Sequence, residues 1–216
     1  MGERLLAEVG DLLPGAVPHT PYGMTEGLLL TDVTLAEIRA AGPGGAAGGV
    51  CVGRPAAGVT VRISALDADG RATGTLAATP DVTGEVVVAA PHVKDHYDRL
   101  WLTDRESRRG TPDGDGGTRL RTDVDDLAPG ARWHRTGDVG HLDADGRLWI
   151  EGRLAHVLVT ADGPVTPVGP EQRAQTVPGV RRAGVVGVGP RGTQQLVVVV
   201  ETDPGARAAP GWPRPR

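Results

Sequence analysis

The stretch Trp133-His134-Arg135-Thr136-Gly137-Asp138-Val139-Gly140 holds one carboxylate, Asp138, between two glycines. A carboxylate fixed on a tight loop accepts hydrogen bonds from a pair of vicinal hydroxyls, as on a ribose. An aspartate following glycine also caps turns with no ligand at all, and the octapeptide alone admits both readings. Other groupings are weaker. His92 and His96 stand at i and i+4 beside Lys94 and Tyr97, a metal-ligand spacing if the segment were helical. Pro91 and the strand-like residues before it argue against a helix, so the cluster reads as polar surface. Asp113, Asp115, Asp123, Asp125 and Asp126 lack the spacing and the terminal glutamate of a calcium loop. Gly42 to Gly49 has no following lysine and no preceding strand pattern, so it reads as a flexible link rather than a phosphate loop. Cys51 lies in an apolar run and reads as a small buried hydrophobe.

Asp138 opens onto a hairpin. Leu142 and Leu148-Trp149-Ile150 are strand-like, and Asp143-Ala144-Asp145-Gly146 between them is turn chemistry, with Gly146 free to take positive φ. Leu5, Leu6, Val9, Leu12 and Leu13 recur at helical spacing, and Pro14-Gly15 ends the helix they predict over 3–13. Residues 16–20 are expected to be a strand feeding the loop at Tyr22. Thr34-Leu35-Ala36-Glu37 fits a capping box that opens a helix to about Ala41. Residues 50–103 read as all-β: Val59, Val61 and Ile63 alternate with polar residues, Asp67-Ala68-Asp69-Gly70 is a turn, and Gly84–Ala89 is a strong strand. Residues 104–132 are charged and without apolar periodicity, which predicts a long exposed loop. Pro170–Val177 is expected to be a helix, with strands at Val185–Val188 and Leu196–Glu201 in a βαβ-type arrangement. From Thr202 the composition predicts a disordered tail.

The chain has 216 residues and a formal net charge of −4, which gives no basic footprint for nucleic acid. No apolar run approaches membrane-spanning length and no signal segment opens the sequence. A single cysteine excludes an internal disulfide framework and makes the cytoplasm the expected compartment. Lys94 is the only lysine and phenylalanine is absent, a bias that looks genomic rather than functional.

Arg135-Thr136-Gly137-Asp138, then the Asp-x-x-Gly hairpin, then Gly152-Arg153, resembles the adenylate-forming superfamily of acyl- and aryl-CoA synthetases, peptide synthetase adenylation domains and luciferases. Tyr22-Gly23-Met24-Thr25-Glu26 resembles that family's Tyr-Gly-x-Thr-Glu motif. Val52-Gly53-Arg54-Pro55 and Thr83-Gly84-Glu85-Val86-Val87-Val88 resemble its Gly-x-Pro and Gly-Glu-aliphatic segments. The matches fall in family order over about residues 1–201. Ala155-His156, where most members carry an aspartate, and the following Thr160-Ala161-Asp162-Gly163-Pro164 resemble the branch that makes β-lactones in bacterial long-chain olefin biosynthesis.

The resemblance implies an α/β fold of mixed α+β character, the C-terminal part of an adenylate-forming fold. Residues 1–151 would hold the end of the large domain with a distorted β-barrel subdomain, 152–201 an incomplete small domain, and 202–216 the tail. ATP or AMP and Mg²⁺ are the implied cofactors. Tyr22, with Gly23 beside it, would flank the adenine, Thr25 would contact the α-phosphate, Glu26 would hold Mg²⁺, and Asp138 with Arg153 would hold the ribose. An arginine fork beside a carboxylate can share a diol, one donating and the other accepting. Thr25-Glu26 equally suits the start of a helix. His156 is a candidate aid to the lactone-closing step, or a packing or surface histidine. The substrate would be a β-hydroxy fatty acid, and partners would be the missing N-terminal part of the enzyme or other olefin-pathway proteins. An ordinary acyl-CoA ligase fragment and a non-catalytic remnant or split-gene half are the alternatives. The family's phosphate loop lies upstream of Tyr22, and no lysine follows Lys94 to serve as its late catalytic lysine. Arginine does not replace a point ammonium. The chain alone is therefore expected to lack adenylation activity.

Overall fold

The computed structural model describes residues 3–42, 48–109, 111 and 127–203. Helix α1 (Glu3–Leu12) is followed by strands β1 (His19–Met24) and β2 (Gly27–Thr34), helix α2 (Leu35–Ala41), and strands β3 (Val50–Pro55), β4 (Thr60–Leu66), β5 (Ala72–Ala77) and β6 (Gly84–Ala90). Helix α3 (Trp101–Arg108) precedes the long strand β7 (Arg132–Leu142) and its partner β8 (Leu148–Arg153). These eight strands form one antiparallel sheet in the order β1-β2-β3-β8-β7-β6-β4-β5. It is open, with β1 and β5 at its edges, so no closed barrel forms among the described residues.

The sheet is central because β6 is apolar on both faces. Val86 and Val88 pack with Leu30, Val61, Ile63 and Leu148 on one side, and Val87 and Ala89 pack with Leu76 and Trp133 on the other. Each of the valine, leucine and isoleucine side chains contributes about 1.5–3 kcal/mol when removed from water. A strand buried twice reads as a continuous apolar run, which is what Gly84–Ala90 shows. Helix α2 begins at a complete capping box: Thr34 Oγ1 accepts from Glu37 N while Glu37 reaches back to Thr34 N. Its Ile38 and Ala41 cover Val33, Cys51 and Trp149. At Gly53, where φ is 90°, a Cβ would lie 2.1 Å from the Asp32 carbonyl oxygen, so only glycine lets β3 approach β2 there.

After Arg153 come a 3₁₀ turn (Leu154–His156), the short pair β9 (Leu158–Thr160) and β10 (Gly163–Val165), helix α4 (Val168–Gln175), and strands β11 (Val180–Val188) and β12 (Gln195–Thr202). β11 and β12 pair antiparallel, so the expected βαβ arrangement is replaced by a hairpin resting on α4. Glu151 ties this part to the sheet. Its carboxylate accepts from His141 Nδ1 at 2.7 Å, Thr166 Oγ1 at 2.8 Å and Thr83 Oγ1 at 3.0 Å, and the residue is 1% exposed. The predicted loop over 104–132 is helical at its start, in α3. Most of the Gly42–Gly49 link, the five aspartates of 113–126 and the tail from 204 lie outside the described residues. Among the described residues no helix is long and apolar enough to cross a membrane.

Candidate functional site

Asp138 sits on β7 directly across from Arg153 on β8. Pairing register alone therefore brings the two together, and Arg153 Nε lies 3.0 Å from Asp138 Oδ1. The other carboxylate oxygen accepts from the Tyr22 hydroxyl at 2.7 Å, so β1 also converges on this point. Asp138 N donates to Thr136 Oγ1 at 3.0 Å, and that hydroxyl donates to Val86 O. Burial raises the Asp138 carboxyl above the usual range, opposed by the Tyr22 hydrogen bond and the Arg153 charge. Burial and then the Asp138 charge push the Tyr22 phenol far up, so it stays a donor. Asp138 is a buried acceptor; the Arg153 side chain, 61% exposed, can move to admit a competitor.

A cleft of about 630 Å³ opens beside this trio. Gly23, Thr25, Glu26, Arg135, Thr136, Gly137, Arg153 and Leu154 contribute to its walls, with Tyr97 and His134. Thr25 and Glu26 form the turn between β1 and β2, not the start of a helix. The Tyr97 hydroxyl donates to Glu26 Oε1 at 2.6 Å. That hydrogen bond is the leading reason the Glu26 carboxyl sits below its ordinary value, against a partial opposing effect of burial. Lys94 Nζ lies 4.2 Å from the Tyr97 ring centroid and donates to Asp104 Oδ1 at 2.7 Å. Burial alone would raise Asp104, but the hydrogen bonds from Lys94 and Arg108 outweigh it and hold the carboxyl at about 2. Arg135 pairs with the buried Glu85 in the same wall. His134 is 4% exposed, and its Nδ1 has no hydrogen-bond partner. Burial first, then the Lys94 charge, lowers its pKa to about 4, so the ring is neutral at neutral pH.

Gly23, Thr25, Glu26 and Arg153 line the cleft, whereas Tyr22 and Asp138 lie behind its wall and meet it through the Arg153 ion pair. His156 is apart from it: it lies exposed in the 3₁₀ turn and does not line the cleft. The polar surface expected at 92–97 is divided. His92 and His96 are exposed, but Lys94 has only 11% of its side chain exposed and, with Tyr97, belongs to the cleft wall network. No grouping of three or more His, Cys, Asp or Glu side chains suited to a metal ion occurs among the described residues. Lys94, Tyr97, Asp104 and His134 were the residues the sequence did not single out for the site. The one available signal was that the chain's sole lysine precedes a tyrosine just downstream of its most apolar strand.

No family model matches the chain. It is 36% identical over 211 residues to the olefin β-lactone synthetase of Xanthomonas campestris pv. campestris, covering 95% of this chain and 35% of that protein. It is 39% identical over 206 residues to the olefin β-lactone synthetase of Stenotrophomonas maltophilia, covering 91% of this chain and 34% of that protein. The chain belongs to the adenylate-forming superfamily. It spans about a third of the length of these adenylate-forming relatives. Its fold is also that of the O-succinylbenzoate coenzyme A synthetase of Bacillus subtilis in complex with ATP and a magnesium ion, with a TM-score of 0.63 and 21% identity over 93% of this chain and 33% of that one. The adenylate-forming likeness therefore takes in both the eight-stranded sheet and the elements after Arg153.

Proposed function

We propose that this chain carries the ribose- and cation-facing side of an ATP-dependent β-lactone synthetase acting on β-hydroxy fatty acids with an α-alkyl branch. The fatty carboxylate attacks the α-phosphorus of ATP and pyrophosphate leaves, giving an acyl-adenylate. The β-hydroxyl oxygen then attacks the activated carbonyl, its proton is lost, and the bond to AMP breaks as the four-membered ring closes. The reading rests on one observation: the buried Asp138 carboxylate, held by Tyr22, is paired with the exposed Arg153, which lines the cleft together with Thr25 and Glu26. The two olefin β-lactone synthetases that match most of the chain support the choice of reaction.

The residues present suit the groups this requires. A ribose diol would take acceptors from Asp138 and a donor from Arg153. The Thr25 hydroxyl would donate to a phosphate oxygen. Glu26 would hold Mg²⁺, which commonly takes only one or two protein carboxylates with phosphate oxygens and water completing its shell. The ion would neutralise phosphate charge during the first step. Lactone closure depends mainly on holding the β-oxygen near the carbonyl, since positioning alone supplies a large effective concentration. On this reading residues 1–151 close the large domain and 152–201 begin a smaller one that turns about Gly152. The 216-residue chain by itself is proposed to bind nucleotide without turning over.

Calorimetry with AMP tests the ribose site. The chain should bind AMP, and Asp138→Asn should weaken binding by about tenfold, as loss of a charge-assisted hydrogen bond predicts. Mass spectrometry of the chain with ATP, Mg²⁺ and a β-hydroxy fatty acid, alone and with the polypeptide encoded upstream, tests the reaction. AMP and β-lactone only in the mixture is the expected result. A thioester formed on adding coenzyme A, with no lactone, would make it an acyl-CoA ligase portion instead. Absence of AMP binding would overturn the ribose reading.

A further inference from the structure

We infer that Tyr97 is a positioning residue for Glu26, held by Lys94 and Asp104 so that its hydroxyl fixes the carboxylate at the cleft edge. The inference rests on the reading of Glu26 as the cation-holding carboxylate and adds what orients it. Glu26 occupies a turn of two residues between β1 and β2, and β1 is an edge strand. A side chain on such a turn is free to rotate unless something reaches it from elsewhere in the fold. Tyr97 does, at 2.6 Å to Oε1, and the carboxylate keeps acceptor capacity for a cation.

Tyr97 is itself held from several directions. Its backbone N–H donates to Asp104 Oδ1 at 3.2 Å. Lys94 Nζ sits 4.2 Å from its ring centroid, within cation–π range, and the same ammonium is anchored 2.7 Å from Asp104 Oδ1. Arg108 closes the other side of Asp104 from one turn along α3. Lys94 also clamps the turn from its backbone, donating to Glu26 O at 2.6 Å. One lysine thus fixes both the main chain of Glu26 and the ring that holds its side chain. Lys94 and Asp104 are 11% and 13% exposed at their side chains, so the strut is shielded from competing water. The arrangement explains why α3 forms where the sequence shows no apolar stripe: its Asp104 is the anchor of the strut rather than part of a helix–core contact.

The test is a carboxyl ¹³C NMR titration of Glu26 in glutamate-labelled chain, assigned with Glu26→Gln, together with Mn²⁺ alone as a paramagnetic probe. Tyr97→Phe keeps the ring for Lys94 and removes only the hydroxyl. It should raise the Glu26 titration midpoint and raise the Mn²⁺ concentration that broadens the Glu26 signal about tenfold, with the melting temperature little changed. Asp104→Asn, which loosens the strut one step back, should shift both in the same direction by less. An unmoved Glu26 midpoint in Tyr97→Phe overturns the inference. A raised midpoint with no Mn²⁺ broadening in the unmodified chain would uphold the strut while removing the cation role from Glu26, so the two readings fail separately.

Discussion

Replacing His134 by phenylalanine makes stability less dependent on acid. His134 is 4% exposed, and its pKa is lowered from 6.5 to about 4, first by burial and then by the Lys94 charge. The unfolded chain therefore binds a proton at this position near pH 6.5, while the folded chain resists it until about pH 4. Stability rises with pH wherever the unfolded state holds more protons, so the titration of this group costs little above pH 6.5 and destabilises the fold progressively below it. The shift corresponds to a loss of about 3 kcal/mol once pH has fallen through both values, with about 2 kcal/mol of it already present at pH 5. That is a large part of a domain's usual margin. His134→Phe keeps a flat ring and removes both the titration and the unpartnered Nδ1. Urea unfolding of the two proteins at pH 7.5 and pH 5 measures the effect. The variant should be at least as stable at pH 7.5, since an unsatisfied buried polar atom is gone, and should gain about 2 kcal/mol over the parent on going to pH 5. A gap between the two proteins that is the same at both pH values would refute the argument.

Gly53→Ala should cost more than 2 kcal/mol in the same unfolding assay, because the new Cβ meets the Asp32 carbonyl oxygen at 2.1 Å in a left-handed backbone conformation. Ala at Gly146, where φ is 74° but nothing lies within 4 Å, should cost only about 1 kcal/mol, and a smaller penalty at Gly53 than at Gly146 would show the close approach to be relaxed in solution. Glu151→Ala strips one acceptor from His141, Thr83 and Thr166 at once and should destabilise by about 3 kcal/mol or more, read by calorimetric melting; a loss under 1 kcal/mol would mean water replaces the carboxylate there.

What could be read from the sequence was what neighbouring residues decide among themselves. The Thr34–Glu37 capping box, the Asp143–Gly146 turn and the alternation around Val61 are local devices, and each appears where its residues place it. The pairing of Asp138 with Arg153 was legible for a related reason: the two flank one short hairpin, so register settles their meeting. Helix α3 was not legible. Trp101 and Leu102 are exposed and no stripe faces the core, so its support comes from Lys94 and from Ser107 and Arg108 contacts that no periodicity records. The antiparallel pairing of β11 with β12 was missed although no helix separates them and the Gly189-Pro190-Arg191-Gly192 link between them is turn chemistry. Lys94 and Tyr97 were misjudged as surface because their burial is created by Asp104 and Glu26, which approach from either side in sequence.

The strand that presents Asp138 is paired on both sides, by β6 and by β8, and carries the buried Trp133. The turn that presents Glu26 hangs from the edge strand β1. The two halves of the cleft therefore open on separate timescales. Backbone amides of β7 within the ladders to β6 and β8, such as those of Trp133 and Val139, should exchange with solvent hydrogen only when the whole sheet comes apart, whereas those near Thr25 should exchange through local fraying. A nucleotide bound across both would slow exchange at the turn and leave the Asp138 side almost untouched. The Asp138 side is built in advance, and under the proposed function the ordering that accompanies nucleotide binding would fall on the Thr25–Glu26 turn.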